Sequence, residues 1–222
     1  MTVSHRRLAS IAVTACCAVS ATGALAAQAS AATLAADKAC YVNDSASGVP
    51  MTITGTGFIP GSTVQLTGGT AFANTTADAA GNVTFTANAP KLATLGPGSK
   101  KTRLTVSDNN GTSATIDVMS ANLAVVANPG SVRNVRKDKV TFSFSGFVPG
   151  KHIYGYYLRK KVVAKARFGK AQGPCGVLKQ KALLYPGGRP SSDKYKVTFE
   201  SSSRYNKNVF PRVTGTLNIL HF

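Results

Sequence analysis

Two stretches of ten residues, TITGTGFIPG at positions 52–61 and TFSFSGFVPG at positions 141–150, share the phrase Gly-Phe-x-Pro-Gly. Each begins with alternating residues, which is typical of a half-buried strand. In each, proline presets φ for a turn and glycine accepts the positive φ that other residues resist. Gly81 and Gly176 form a second pair of landmarks, and their offset of 95 residues is similar to the offset between the two phrases. The chain is therefore predicted to consist of two similar modules.

Each module contains short alternating segments separated by Gly, Asn, Asp and Pro, at the spacing expected of a Greek-key sandwich. The fold class is predicted to be all-β, with two tandem immunoglobulin-like β-sandwiches at residues 32–128 and 129–222. The boundary is placed at Asn128-Pro129-Gly130. Residues 33–38 are expected to form a loose lead-in, and residues 122–128 either end the first module or begin the link.

The N-terminus is predicted to be a secretory signal peptide covering residues 1–31. Arg6 and Arg7 precede an Ala-rich apolar run, and Ala29-Ser30-Ala31 fits a small-residue cleavage site. Lipoprotein processing at Cys16 is the alternative. No later stretch is long and apolar enough to span a bilayer. The expected location is extracellular or associated with the cell wall.

Cleavage would leave Cys40 and Cys175, one in each module. In an oxidising compartment an even pair predicts a disulfide, here one that bridges the modules. Two free thiols are the alternative. Two cysteines without a histidine cluster do not make a zinc site. No metal and no cofactor is predicted.

The sequence around the first turn, Thr52 to Gly61, resembles the opening of bacterial extracellular immunoglobulin-like domains. The first module also resembles the neocarzinostatin-type apoproteins of actinobacteria, through Gly55-Thr56-Gly57 and the turns at 77–81 and 107–111. That resemblance implies a chromophore cleft, although the family's two disulfides have no counterpart because Cys40 is alone in this module. The second module is similar to an uncharacterised secreted domain of actinobacteria, which implies a compartment but no role.

Charge is divided unequally between the modules. Nineteen of the 26 Lys and Arg residues follow residue 128, against three of the eight acids. Such asymmetry favours binding to a polyanion over charge kept for solubility. Strand alternation directs the basic residues of the second module outward, and they would form one cationic sheet face if their strands are neighbours. The predicted polyanion-binding residues are Arg159, Lys160, Lys161, Lys165, Arg167, Lys179, Lys181, Lys194 and Lys196.

The expected partner is an anionic cell-wall polymer or anionic lipid headgroups, with non-specific nucleic-acid binding possible in principle. Tyr154, Tyr156, Tyr157 and Tyr205 could stack on bases, but such tyrosines more often fill a core or its rim. No catalytic constellation is found, because His152 and His221 pair with no suitable partner and Glu200 is the only glutamate. A nucleophilic Cys175 is the weaker alternative to a disulfide. The alternative functions are a small-molecule carrier, with a cleft in the first module, and a purely structural or adhesion protein.

Overall fold

The computed structural model describes residues 31–44, 48–135, 137–188 and 190–219. The predicted signal peptide, apart from Ala31, lies outside these ranges together with Cys16 and His221. The described residues contain no helix, and hence none that could cross a membrane. They form fifteen strands: β1 (Thr33–Ala36), β2 (Tyr41–Asn43), β3 (Pro50–Thr56), β4 (Thr63–Gly68), β5 (Ala71–Thr76), β6 (Val83–Asn88), β7 (Ser99–Asp108), β8 (Ser113–Asn122), β9 (Ala124–Asn128), β10 (Lys139–Ser145), β11 (His152–Leu158), β12 (Val162–Lys170), β13 (Leu178–Leu183), β14 (Asp193–Glu200) and β15 (Arg212–Ile219).

The strands form two sandwiches with the same connectivity. In module 1, sheet A has the order β1-β3-β6 and sheet B has the order β2-β8-β7-β4-β5. In module 2, sheet C has the order β9-β10-β13 and sheet D has the order β12-β11-β14-β15. Every strand of module 2 has a counterpart in module 1, in the same sequence order. The prediction of an all-β chain of tandem immunoglobulin-like sandwiches is confirmed.

The repeated turn has the same hydrogen bonds in both modules. The Phe58 N–H donates to the Gly81 carbonyl over 3.1 Å, and the Phe147 N–H donates to the Gly176 carbonyl over 3.3 Å. Both phenylalanines are buried in the core of their own module. Gly81 and Gly176 have positive φ values of 76° and 57°, which favour glycine. The two landmarks found at similar spacing in the sequence are therefore equivalent in three dimensions.

The two cores differ in composition. The core of module 1 is mainly aliphatic, with Met51, Ile53 and Leu66 among its fully buried residues. The core of module 2 is aromatic. Four of its phenylalanines pack with ring centroids 4.9 to 5.9 Å apart, one pair stacked and the other five edge to face or tilted: Phe142 and Phe144 (the stacked pair), Phe168 and Phe199.

Two strands change the expected organisation. Residues 33–36 form β1, which pairs with β3, so the expectation of a loose lead-in is wrong. Residues 124–128 form β9, which pairs with β10 of sheet C. Val125 and Ala127 also pack against the core of module 2. The chain therefore passes from one sandwich to the other at Leu123, ahead of the position expected at Asn128-Pro129-Gly130.

The modules are joined by a disulfide and by hydrogen bonds around Leu123. Cys40 and Cys175 are bonded with their Cα atoms 5.3 Å apart, so the predicted disulfide between the modules is confirmed. The Leu123 N–H donates to the Asn43 carbonyl over 2.8 Å. The Ser145 hydroxyl donates to the Asn122 carbonyl and accepts from the Gly98 N–H. A covalent bond and short polar contacts thus hold the two sandwiches at one junction.

One strand of module 1 has no counterpart. Strand β2 pairs in parallel with β8, on the outer edge of sheet B. Its Tyr41 is fully buried in the core of module 1. In module 2 the equivalent of β8 is β15, and among the described residues no strand pairs with its outer edge. This difference leaves an open edge on the basic module.

Candidate functional site

The nine predicted basic residues lie on both sides of module 2. Four project from β12 and β14 of sheet D, and three lie at the turn between β11 and β12. Lys179 and Lys181 lie on β13, which pairs with β10 in sheet C. The single cationic sheet face expected for neighbouring strands therefore does not include these two residues. On sheet C they stand opposite Ser143 and Thr141 of β10.

Alternation along β14 places two of the predicted lysines on the exposed side of sheet D. Tyr195, Val197 and Phe199 point into the core, so Lys194 and Lys196 are exposed on the outer side of sheet D. Lys196 lies between Leu158 of β11 and Thr216 of β15 in the strand register.

These side chains border a shallow depression of about 400 Å³. We call it the basic depression, and it is lined by Leu158, Arg159, Lys194, Lys196, Thr214, Gly215 and Thr216. Arg159 is ion-paired with Asp193. Neither Lys194 nor Lys196 has a carboxylate within ion-pairing distance in the described part of the chain. Two free ammonium groups beside two threonine hydroxyls can receive a phosphate or carboxylate group.

The basic residues of β12 already have contacts within the protein. The Lys165 ammonium donates to the Ser203 carbonyl over 2.6 Å and lies 4.7 Å from the centre of the Tyr154 ring. The Arg167 guanidinium donates to Nε2 of His152 over 2.7 Å. Nδ1 of the same ring lies 2.9 Å from the Phe168 carbonyl oxygen, so both ring nitrogens have partners within the protein. Lys165 and Arg167 contribute charge to the surface, but their positions are fixed by other groups.

A buried ion pair fixes the loop that covers the far end of sheet D. Glu200 is fully buried and accepts two hydrogen bonds from the guanidinium of Arg212. Its other oxygen accepts from the Asn206 N–H over 3.1 Å. The Tyr156 hydroxyl donates to the Ser202 carbonyl over 2.8 Å, and burial together with the charge of Glu200 raises the pKa of Tyr156 to about 12. This pair is not among the predicted site residues, although a single Glu in an alternating strand is a visible signal in the sequence.

The tyrosines considered for base stacking are mostly occupied. Tyr156 and Tyr157 are buried, and the ring of Tyr205 packs on Tyr156 with a centroid distance of 5.5 Å. Tyr154 lies beneath the Lys165 ammonium. The structure thus places these four rings in the core and its rim rather than in an open stacking platform.

The candidates for chemistry are also accounted for by structural contacts. Cys175 is in the disulfide and has no thiol, so its role as a nucleophile is excluded in this form. His152 is held between Arg167 and the Phe168 carbonyl. Across residues 31–44, 48–135, 137–188 and 190–219, no three His, Cys, Asp or Glu side chains come together as a metal ion would require.

The fold and the surface together define a class of protein: a two-module, all-β chain with one neutral and one basic sandwich. No protein family matches this chain, and no curated protein matches it. A solved tetra-tandem repeat from the extending region of a large adhesion protein is similar at 17% identity, with a TM-score of 0.30. That similarity covers 85% of this chain and 49% of the other, so this chain spans about half of its length. A TM-score of this size does not establish a shared fold, and adhesion is stated for that protein alone.

Proposed function

We propose that this chain is an exported, non-enzymatic binding protein whose second module holds an anionic polymer of the cell envelope. The observation that carries the proposal is the excess of positive charge on module 2. Of its three acids, Asp193 and Glu200 are paired with Arg159 and Arg212, while Asp138 accepts a hydrogen bond from the Asn134 N–H. Most basic side chains of this module therefore have no carboxylate partner among the described residues.

The basic depression is the proposed point of contact. Lys194 and Lys196 are exposed on one side of sheet D, and Lys160 and Lys161 extend from the hairpin that follows Leu158 of the same depression. A polymer with regularly spaced phosphates could contact several of these ammonium groups at once. Such binding depends on the release of counterions, so it weakens steeply as salt is raised.

Two features support export and a role for module 1. A disulfide persists in oxidising compartments and is rare in the cytosol, which agrees with the predicted signal peptide. Module 1 carries five basic and five acidic residues between residues 33 and 128, so it contributes little net charge. Because the disulfide joins it to the basic module, we propose that module 1 is a spacer that sets the position of the binding surface.

A matched pair of triple variants tests the proposal in the mature chain. Lys161, Lys194 and Lys196 are replaced by Gln on the side of sheet D. In the control, Lys139, Lys179 and Lys181 are replaced by Gln on sheet C. Both variants lose three charges, so a difference between them reports position and not net charge. Binding to purified poly(glycerol phosphate) is measured across a salt series, with anionic lipid vesicles and duplex DNA as parallel ligands.

We expect the sheet D variant to bind the polymer at least tenfold more weakly near 0.15 M salt, with the slope of log affinity against log salt reduced by about 2 to 3. The sheet C variant should lose far less. Equal losses in the two variants would mean a generic charge effect and would refute the site. Stronger binding to vesicles or DNA than to the polymer would assign the surface to a different partner.

A further inference from the structure

The open edge of sheet D leads into the core of module 2. A cleft of about 260 Å³ lies between the edge strands β9 and β15. Its lining is largely apolar and includes Val125, Phe142, Tyr157, Phe199, Gly215 and Leu217. In module 1, the corresponding edge is covered by β2, and the Tyr41 ring of that strand is buried in the core. Module 2 therefore has a solvent-accessible cleft on the edge that module 1 closes with an aromatic side chain.

Gly215 keeps this cleft open. It pairs with Val197 of β14, so its position faces inward, between Val213 and Leu217 of the same strand. A Cβ at this position would meet no atom within 4 Å. Its φ is not in the left-handed region, so the backbone does not require glycine there. The backbone conformation therefore does not explain why this residue has no side chain. The effect seen in the structure is unfilled space at this position of the cleft.

Tyr157 is one of the residues that line the cleft, and its hydroxyl is a buried polar group. The residue is 1% exposed, and its hydroxyl has no hydrogen-bond partner among the described residues. Buried hydroxyls are nearly always hydrogen-bonded, because an unmet donor loses the bond it made with water. Burial raises the pKa of Tyr157 above its ordinary value, so the hydroxyl stays protonated and can donate.

We propose that this cleft binds a small single-ring aromatic molecule whose polar substituent accepts a hydrogen bond from the Tyr157 hydroxyl. The ring would pack against Phe142 and Phe199, which supply edge and face contacts. An apolar cavity of roughly 150 Å³ is enough to hold benzene, so the volume suffices for one substituted ring. The cleft adjoins the basic depression, with which it shares Gly215 and Thr216, but its apolar lining lies on the inner side of sheet D and the lysines of the depression lie on the outer side. It lies in module 2 and not in module 1, where the carrier hypothesis placed a cleft.

The first test uses p-cresol as the probe and a pair of variants on β15. Gly215→Leu directs a side chain into the cleft without backbone strain. Thr214→Leu places the same side chain on the opposite side of the same strand and is the control. Binding to the mature chain is followed by chemical-shift changes in a titration. We expect Gly215→Leu to weaken p-cresol binding at least tenfold and Thr214→Leu to change it less than twofold.

The second test separates the hydroxyl from the cavity. Tyr157→Phe should weaken binding of p-cresol about fivefold or more and leave binding of toluene unchanged, because toluene cannot accept the hydrogen bond. It should also raise the thermal midpoint of the ligand-free protein, since the unmet donor is gone. No saturable p-cresol binding, or equal effects of Gly215→Leu and Thr214→Leu, would overturn the proposal. Self-association that Gly215→Leu abolishes would overturn it too, in favour of a second copy of the chain as the occupant.

Discussion

Four glycines, one within each copy of the repeated turn and one packed against each copy, allow the cost of a close backbone approach to be measured. Gly61 and Gly81 both have positive φ, at 74° and 76°. A Cβ on Gly61 would meet nothing within 4 Å, whereas a Cβ on Gly81 would overlap the carbonyl oxygen of Phe58. Gly61→Ala should therefore cost only the backbone penalty of about 1 kcal/mol.

Gly81→Ala should cost more, because the Phe58 carbonyl must also move. That movement weakens the hydrogen bond from the Phe58 N–H to the Gly81 carbonyl, worth about 1 kcal/mol, and disturbs a phenylalanine that is 3% exposed. A total of about 3 kcal/mol or more is expected. With a urea slope of about 1 to 3 kcal/mol per M, the midpoint of Gly81→Ala should lie roughly 0.7 to 2 M below that of Gly61→Ala.

Module 2 provides an independent repeat of this comparison. A Cβ on Gly150 would meet no atom within 4 Å, whereas a Cβ on Gly176 would overlap the carbonyl oxygen of Phe147. Gly176→Ala should again cost more than Gly150→Ala. Equal midpoints within each pair would refute the argument, because they would show that the close approach adds nothing to the positive φ.

Four further predictions concern stability. Reducing the disulfide, which closes a loop with a sequence separation of 135, should lower the free energy of unfolding by up to about 5 kcal/mol, as measured by denaturation with and without reductant. Glu200→Gln should cost about 3 to 5 kcal/mol by thermal unfolding, because it leaves the Arg212 guanidinium without its buried partner. Asp193→Asn breaks an exposed pair and should cost less than about 1 kcal/mol. Hydrogen bonds from Asn82 lower the pKa of Asp78, and backbone hydrogen bonds from Thr112 and Asn110 lower that of Asp108 against the opposing effect of burial. The stabilisation that these two carboxylates provide is therefore complete above the unfolded pKa of about 3.9 and is lost as pH falls through the lower folded pKa. The thermal midpoint should therefore decrease when the pH is lowered below about 4. This decrease should be smaller in Asp78→Asn.

The sequence predicts the parts of the fold that depend on local chemistry. Gly-Phe-x-Pro-Gly dictates a turn, and the alternation of Tyr195, Val197 and Phe199 dictates a half-buried strand. Strand β1 was missed because its residues, Thr33 to Ala36, are small and have little hydrophobic contrast. It forms because β3 offers it a hydrogen-bonding edge. Such an edge depends on the rest of the fold and leaves no local signature.

The candidate surface shows a similar limit. Alternation predicts that Lys179 and Lys181 face outward, but it does not state which sheet they face outward from. That depends on the crossover that pairs β13 with β10 and not with β12. The structure shows the same crossover in module 1, where β6 pairs with β3. The repeat predicts that the two modules share one strand order, but it does not say which order that is. The cleft at Gly215 was not predictable, because it depends on a strand that one module has and the other lacks.

The disulfide also changes how the chain would respond to mechanical force. If tension is applied at residues 31 and 219, it passes from Cys40 to Cys175 through the sulfur atoms. The residues between them carry no load and cannot be drawn out, which removes roughly 470 Å of contour length at about 3.5 Å per residue. Only the short N-terminal strand and the last strands of the basic module could extend. The disulfide would therefore limit how far this protein can lengthen under tension.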